Sequence, residues 1–262
     1  MIAAFPDCIE RSLLLADPSW LPHLRAGLVA MTAVQPDYLN LLASLDFLPT
    51  GDRIFAAFAL PISSVRYILM GEGPYPRSDS ATGVCFMDGA VKSLWQPGVG
   101  LTKSVNRATS LRNFIKMLLV ADGVLNNDNT TANALLPVAT MACVPGSGYI
   151  QTGADLQLNL ISQGFLLLNA SLVFRPGVAP AQDAKSWRPF LRTILRALIN
   201  LRNERQPDRQ KLILWGKIAR EIGQLPEAEQ FVSMVSEHPY NLSFIENKCM
   251  QNLFRPLHIL RK

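Results

Sequence analysis

Two short loops concentrate the side chains of this chain that could do chemistry. Gly71-Glu72-Gly73-Pro74-Tyr75-Pro76 carries a carboxylate and a phenol on a backbone shaped by glycine and proline, and His238-Pro239-Tyr240-Asn241-Leu242-Ser243 carries an imidazole. An imidazole and a carboxylate are the usual partners for moving protons at a reacting bond. Asn169 closes the apolar run Phe165-Leu166-Leu167-Leu168 and offers both a donor and an acceptor, and Phe86 in Gly83-Val84-Cys85-Phe86 offers a face for stacking. Taken alone, such an asparagine more often caps its own turn and such a phenylalanine more often packs in a core. Leu242 stands among turn formers, a poor setting for core packing, so it reads as an exposed apolar side chain.

These residues need elements to position them. Tyr67 to Met70, Phe165 to Leu168, Leu212 to Trp215 and Phe231 to Val235 read as buried strands, each followed by a polar or glycine-rich turn. Helical spacing lies between them, in Leu111, Phe114, Ile115, Leu118 and Leu119, and in Trp187, Phe190, Leu191, Ile194, Leu195 and Leu198. The alternation predicts an α/β fold, a single-domain three-layer α/β/α arrangement with a central, mainly parallel four-stranded sheet. Ligands of such sheets sit beyond the carboxyl ends of the strands, here at Gly71 to Pro76, Asn169, Gly216 and His238. The first 60 residues read as largely helical, and residues 122 to 153 as a long surface excursion rich in Asn, Gly and Pro.

With 262 residues and 49% hydrophobic content the chain can bury a full core, and one domain over 1–262 is expected. Apolar runs stop well short of the roughly 18 residues that span a bilayer. Charged residues Asp7, Glu10, Arg11 and Asp17 argue against a signal peptide, so a cytoplasmic monomer is expected. Cys8, Cys85, Cys143 and Cys249 lack Cys-x-x-Cys spacing, so no metal, no cluster and no cofactor are expected. Residues 175 to 262 hold 15 basic against 8 acidic side chains, a bias that suits a polyanion and also a solvated face. Arg188, Arg192 and Arg196, followed by Arg202, Arg205 and Arg209, either track phosphates or form the polar face of an amphipathic helix.

From Tyr67 to the carboxyl terminus the motifs resemble those of uracil-DNA glycosylases. Gly71 to Pro76 is similar to that family's Gly-Gln-Asp-Pro-Tyr-His loop, and Gly83-Val84-Cys85-Phe86 to its Gly-Leu-Cys-Phe. Ser110-Leu111 stands at its backbone-compressing loop, here without proline. Gly164 to Ala170 is similar to Gly-Val-Leu-Leu-Leu-Asn-Ala, Leu214-Trp215-Gly216 to Leu-Leu-Trp-Gly, and His238 to Ser243 to His-Pro-Ser-Pro-Leu-Ser. Trp187 falls where the family has a tryptophan before a long helix.

The resemblance implies a protein that flips uracil out of single- or double-stranded DNA and hydrolyses its glycosidic bond in base excision repair. It implies that Asn169 reads the uracil edge, Phe86 stacks on the base, Tyr75 excludes a thymine methyl, and Gly71 and Gly73 line the base pocket. His238 would donate to uracil O2. Leu242 would fill the vacated stack, with Ser110, Tyr240, Asn241 and Ser243 on the DNA backbone. The family's aspartate is Gly73 here and its loop histidine is Pro76. Glu72 is the first candidate to handle water, because iron-sulfur uracil glycosylases carry a similar Gly-Glu-Ala-Pro loop; Asp79 or Asp183 are further candidates. The alternative is a catalytically weak DNA-binding accessory or damage-recognition protein on the same fold.

Overall fold

A computed structural model of the protein describes residues 5–205 and 210–262, without the side chains at 202–205, 218 and 219. Arg202, Arg205 and Arg209 therefore fall outside the described side chains. In chain order come α1 (Asp7–Leu13), α2 (Leu21–Val34), α3 (Tyr38–Ala43), β1 (Tyr67–Gly71), β2 (Trp95–Gln96), β3 (Gly100–Leu101), α4 (Lys103–Arg107) and α5 (Thr109–Ala121). They are followed by α6 (Ala132–Ala142), α7 (Gly153–Ser162), β4 (Phe165–Asn169), α8 (Pro180–Arg205), β5 (Lys211–Trp215), α9 (Gly216–Gly223), β6 (Val232–Ser236) and α10 (Lys248–Phe254). Two compact units result: Met1–Phe86 with Gly164–Val235, and Met87–Gln163 with Ser236–Lys262.

The first unit is built on a four-stranded sheet of order β4-β1-β5-β6. β1 lies parallel to both β4 and β5, with Tyr67 opposite Phe165 and Lys211. Each anticipated strand is found to within one residue, although β6, read as buried, is exposed at Val232, Ser233 and Val235. Buried parallel strands are apolar on both faces, and Ile68, Leu69 and Met70 and all of β4 are buried accordingly. Helix α2 packs closely on α8: a Cβ on Gly27 would stand 2.6 Å from the Phe190 ring. Around that crossing Trp20, Phe58, Phe190 and Trp187 meet edge to face, at centroid distances of 5.0, 6.1 and 5.3 Å along the chain of rings. Helix α8 starts at Pro180, several residues ahead of Trp187, because a proline suits the first helical position and Asp183 favours the first turn. Pro189 then sits inside the helix, where it removes one intrahelical hydrogen bond. The amino-terminal part is helical as expected, although Leu14 and Leu15 lie past the end of α1 and are exposed.

The second unit holds the short antiparallel pair β2 and β3 and helices α4 to α7 and α10. Trp95 Nε1 donates to the Ile150 carbonyl at 2.7 Å, and Phe114 of α5 meets Phe254 of α10 at 5.1 Å. Residues 122 to 153 are more than the surface excursion expected. Helix α6 forms within them, capped by Thr131, with Leu135, Val138, Ala139 and Ala142 buried on one face. That spacing is helical; Pro137 masked it, since a proline in a helix interior removes one hydrogen bond. Among the described residues no helix is long and apolar enough to cross a membrane, and no cluster of three or more metal-ligating side chains occurs.

Candidate functional site

In the first unit the register of β1 with β4 sets Gly71 directly opposite Asn169. The ladder continues past the strand ends, with Ala170 N–H donating to Gly71 O at 2.8 Å and Ser171 N–H to Glu72 O at 3.1 Å. A Cβ on Gly71 would lie 2.8 Å from Asn169 Oδ1 and would also collide with Cys85 Sγ, so only glycine leaves room for the asparagine amide. Asn169 is 3% exposed, and among the described residues its side chain makes no hydrogen bond.

Cys85 N–H donates to Leu167 O at 3.0 Å, which docks the Gly83 to Phe86 segment along β4. Burial pushes the Cys85 thiol pKa up, so the cysteine is an inert packing group. Phe86 follows in the left-handed region at φ 69°, a conformation that costs a bulky residue about 1–3 kcal/mol and persists where the surroundings enforce it. Its half-buried ring meets Trp215 edge-on at 5.2 Å and 74°, and its carbonyl accepts the Tyr75 hydroxyl at 3.3 Å. The structure thus ties Tyr75 to Phe86, the two aromatic groups singled out from separate motifs.

Glu72 is exposed. With Gly73, Pro74, Pro76, Ser171 and Asp183 it lines a pocket of about 220 Å³. A Cβ on Gly73 would make ordinary contacts, 3.7 Å to Ser171 Cβ and 3.8 Å to Ser171 O, so the backbone there would accept a larger residue. Asp183 has other work. It is 1% exposed, with Oδ1 2.6 Å from Arg175 Nη2 and 2.9 Å from the Tyr38 hydroxyl. Burial, and then the charge of Asp183, push the Tyr38 pKa up, and the hydrogen bond to Asp183 raises that of Arg175. A carboxylate locked into a buried ion pair is unsuited to handling water. Asp79 is exposed on the loop after Pro76.

Two of the three described arginines of the α8 stripe are paired within the first unit. Arg192 and Arg196 both pair with Glu227, at 3.0 and 2.7 Å. Burial opposes ionisation of Glu227, but hydrogen bonds from Arg192 and Arg196 outweigh it and hold the carboxyl pKa below its ordinary value. This favours the amphipathic-helix reading over a phosphate track.

In the second unit, Ser110 lies half-buried in the first turn of α5, whose cap position is Ala108 and supplies no side-chain acceptor. The loop from His238 leads into a 3₁₀ turn at Leu242–Glu246, anchored by buried Phe244 and Ile245. Tyr240 N–H donates to His238 Nδ1 at 3.1 Å, and Asn241 N–H to His238 O at 2.9 Å. With Nδ1 accepting, the ring proton of the neutral imidazole sits on Nε2. Tyr240 and Leu242 are 68% and 67% exposed, and Asn241 and Ser243 are exposed beside them. Among the other histidines, His258 sits near Asp122 at 3.1 Å, a surface contact.

Sequence reading missed two residues with a part here. Cys85 forms the wall that forbids a side chain at Gly71. Asn113, fully buried on α5, donates from Nδ2 to Pro239 O at 2.8 Å. An asparagine inside an apolar helical stripe was the available signal, since buried amides need partners.

No family model matches the chain. Among curated proteins it is 29% identical over 242 residues to the uracil-DNA glycosylase of a Nocardioides species, covering 83% of this chain and 84% of that one. It is 33% identical over 183 residues to the uracil-DNA glycosylase of Corynebacterium glutamicum, covering 69% and 65%. Among solved structures, wild-type UNG from Nitratifractor salsuginis superposes with a TM-score of 0.84 and 35% identity over 99% of this chain and 100% of that one. Mimivirus uracil-DNA glycosylase shares the fold at TM-score 0.54 and 17% identity, over 90% of this chain and 73% of that one. The α/β class with its central parallel sheet is the one anticipated from the sequence, and the chain belongs to the uracil-DNA glycosylase superfamily.

Proposed function

We propose that the protein removes uracil from DNA by hydrolysing its N-glycosidic bond after base flipping, and that it works as one glycosylase domain, a monomer in the cytoplasm. The observation that carries this reading is the buried Asn169 side chain at the end of β4, directly opposite Gly71, where a Cβ would crowd its Oδ1. Its Nδ2 and Oδ1 suit O4 and N3–H of uracil. Cytosine, which offers a donor where uracil offers O4, would leave the pair mismatched; a buried polar group left unpaired costs about 1–3 kcal/mol. Phe86 serves as the stacking face, and Tyr75, held to its carbonyl, fills the space of a thymine methyl.

When the C1′–N1 bond breaks, its electron pair goes to the base and positive charge develops on the sugar. His238, with its proton on Nε2, would donate to the developing O2 anion, a contribution of about 10²- to 10³-fold. Water then bonds to C1′, and Glu72 is the carboxylate we assign to take its proton, since Asp183 is held by Arg175 and Tyr38. Leu242, exposed on its turn, would occupy the emptied stack, with Ser110, Tyr240, Asn241 and Ser243 along the backbone of duplex or single-stranded DNA.

Asn169→Ala tests the reading. Binding of DNA carrying a non-cleavable uracil nucleotide, measured against the same DNA with cytosine, should lose on the order of tenfold in selectivity. Unchanged discrimination would remove Asn169 from the base site.

A further inference from the structure

The loop from His238 to Leu242 has an internal organiser outside every motif. Asn113 is 0% exposed, and its Nδ2 lies 2.8, 3.3 and 3.4 Å from the carbonyl oxygens of Pro239, Tyr240 and Asn241. Its Oδ1 is held by Arg112 Nε at 3.3 Å. One amide nitrogen near three successive carbonyls means that the backbone curls around it. The loop N–H groups turn to a different centre, with Tyr240 N–H on His238 Nδ1 and Asn241 N–H on His238 O. With three carbonyls gathered on the Asn113 amide and two N–H groups on His238, one on its ring and one on its backbone carbonyl, the loop leaves Tyr240 and Leu242 outward. Asn113 also stands one turn along α5 from Ser110, so one helix carries both the anchor and a residue assigned to the DNA backbone.

We propose that Asn113 is a positioning residue: it pre-shapes the 238–242 loop so that Leu242 is presented to DNA before binding, and the ordering cost is not met when the base is extruded. The inference rests on the reading of Leu242 as a wedge. A wedge matters for duplex and little for single strands, because only in a duplex does the extruded base leave a gap to be filled. Asn113 therefore acts on the preference between the two substrates, which a residue needed only for folding would not alter.

The test uses the full chain. Asn113→Asp keeps the volume and replaces the N–H donor by an oxygen facing carbonyls; Asn113→Ala removes the group. Each is made in the wild type and in Leu242→Ala, and each is measured for binding to a duplex and a single strand carrying a non-cleavable fluorinated deoxyuridine, and for single-turnover uracil release from both. The expected result is a fall on the order of tenfold in the duplex-over-single-strand ratio, absent in the Leu242→Ala background because the two act through one device. Faster amide exchange at Tyr240 and Asn241 in the variants should accompany it. Equal losses on both substrates, or full additivity with Leu242→Ala, would overturn the proposal. If Asn113→Asp does not fold, Asn113→Ala and the exchange rates decide. Wild-type protein that releases no uracil from either substrate would instead count against excision itself, and the binding ratios would still decide the role of Asn113.

Discussion

Phe86 combines a backbone conformation that disfavours it with the ring to which we assign the stacking face. Its left-handed φ of 69° is strained for an aromatic residue, and the surrounding contacts, to Trp215 and to the Tyr75 hydroxyl, hold it there. Phe86→Gly should relieve the strain, raising stability or leaving it within about 1 kcal/mol of wild type despite the lost packing, while uracil release falls. Thermal melts beside single-turnover kinetics check both halves; a large loss of stability would mean that packing, and no strain, governs the position. Sequence alone gave this residue a core reading unless its motif was considered, since a positive φ leaves no mark on residue type outside glycine. Asn169 stood out at the end of an apolar run, and the structure places it buried and opposite Gly71. Cys85 and Asn113 did not stand out, because their roles lie in what they exclude or hold at other positions.

Among the elements, α8 separates charge from function. Its arginines offered a phosphate track, yet Arg192 and Arg196 converge on Glu227. The folded-state pKa of Glu227 is lowered, so its contribution to stability is full above the ordinary carboxylate value of 4.5 and is lost as pH falls through the lower folded value. Glu227→Gln should cost about 1–2 kcal/mol at neutral pH, a figure reduced by the exposure of the arginines, and the gap to wild type should narrow in acid. Denaturant unfolding at several pH values checks this; a gap independent of pH would mean that shape, and no charge, matters there. The four strands were legible to within one residue; for β1, β4 and β5 this is because a buried parallel strand is a plain apolar run, whereas β6, read as buried, is largely exposed. Helix α6 was lost behind Pro137, and the long helix was placed by its tryptophan, Trp187, whereas α8 starts at Pro180.

At the scale of the whole molecule, the fold and family were legible because the motifs recur in order along most of the chain, and a resemblance of 35% identity over 99% of it to a solved structure agrees. The catalytic step was the part the sequence left open: Gly73 lacks the carboxylate of the family's loop, and Glu72 stands beside it, exposed. The geometry narrows the choice by tying up Asp183 and by showing that a Cβ at residue 73 would meet only ordinary contacts. Single-turnover release of uracil from single- and double-stranded DNA by wild type, Glu72→Gln and Gly73→Asp tests the account most directly, with binding measured on the same substrates. Wild-type release that falls by about 10²-fold or more in Glu72→Gln is the predicted result, since a positioned general base is typically worth 10²- to 10⁴-fold. Tight binding of uracil-containing DNA with no release by the wild type, and release gained in Gly73→Asp, would contradict it.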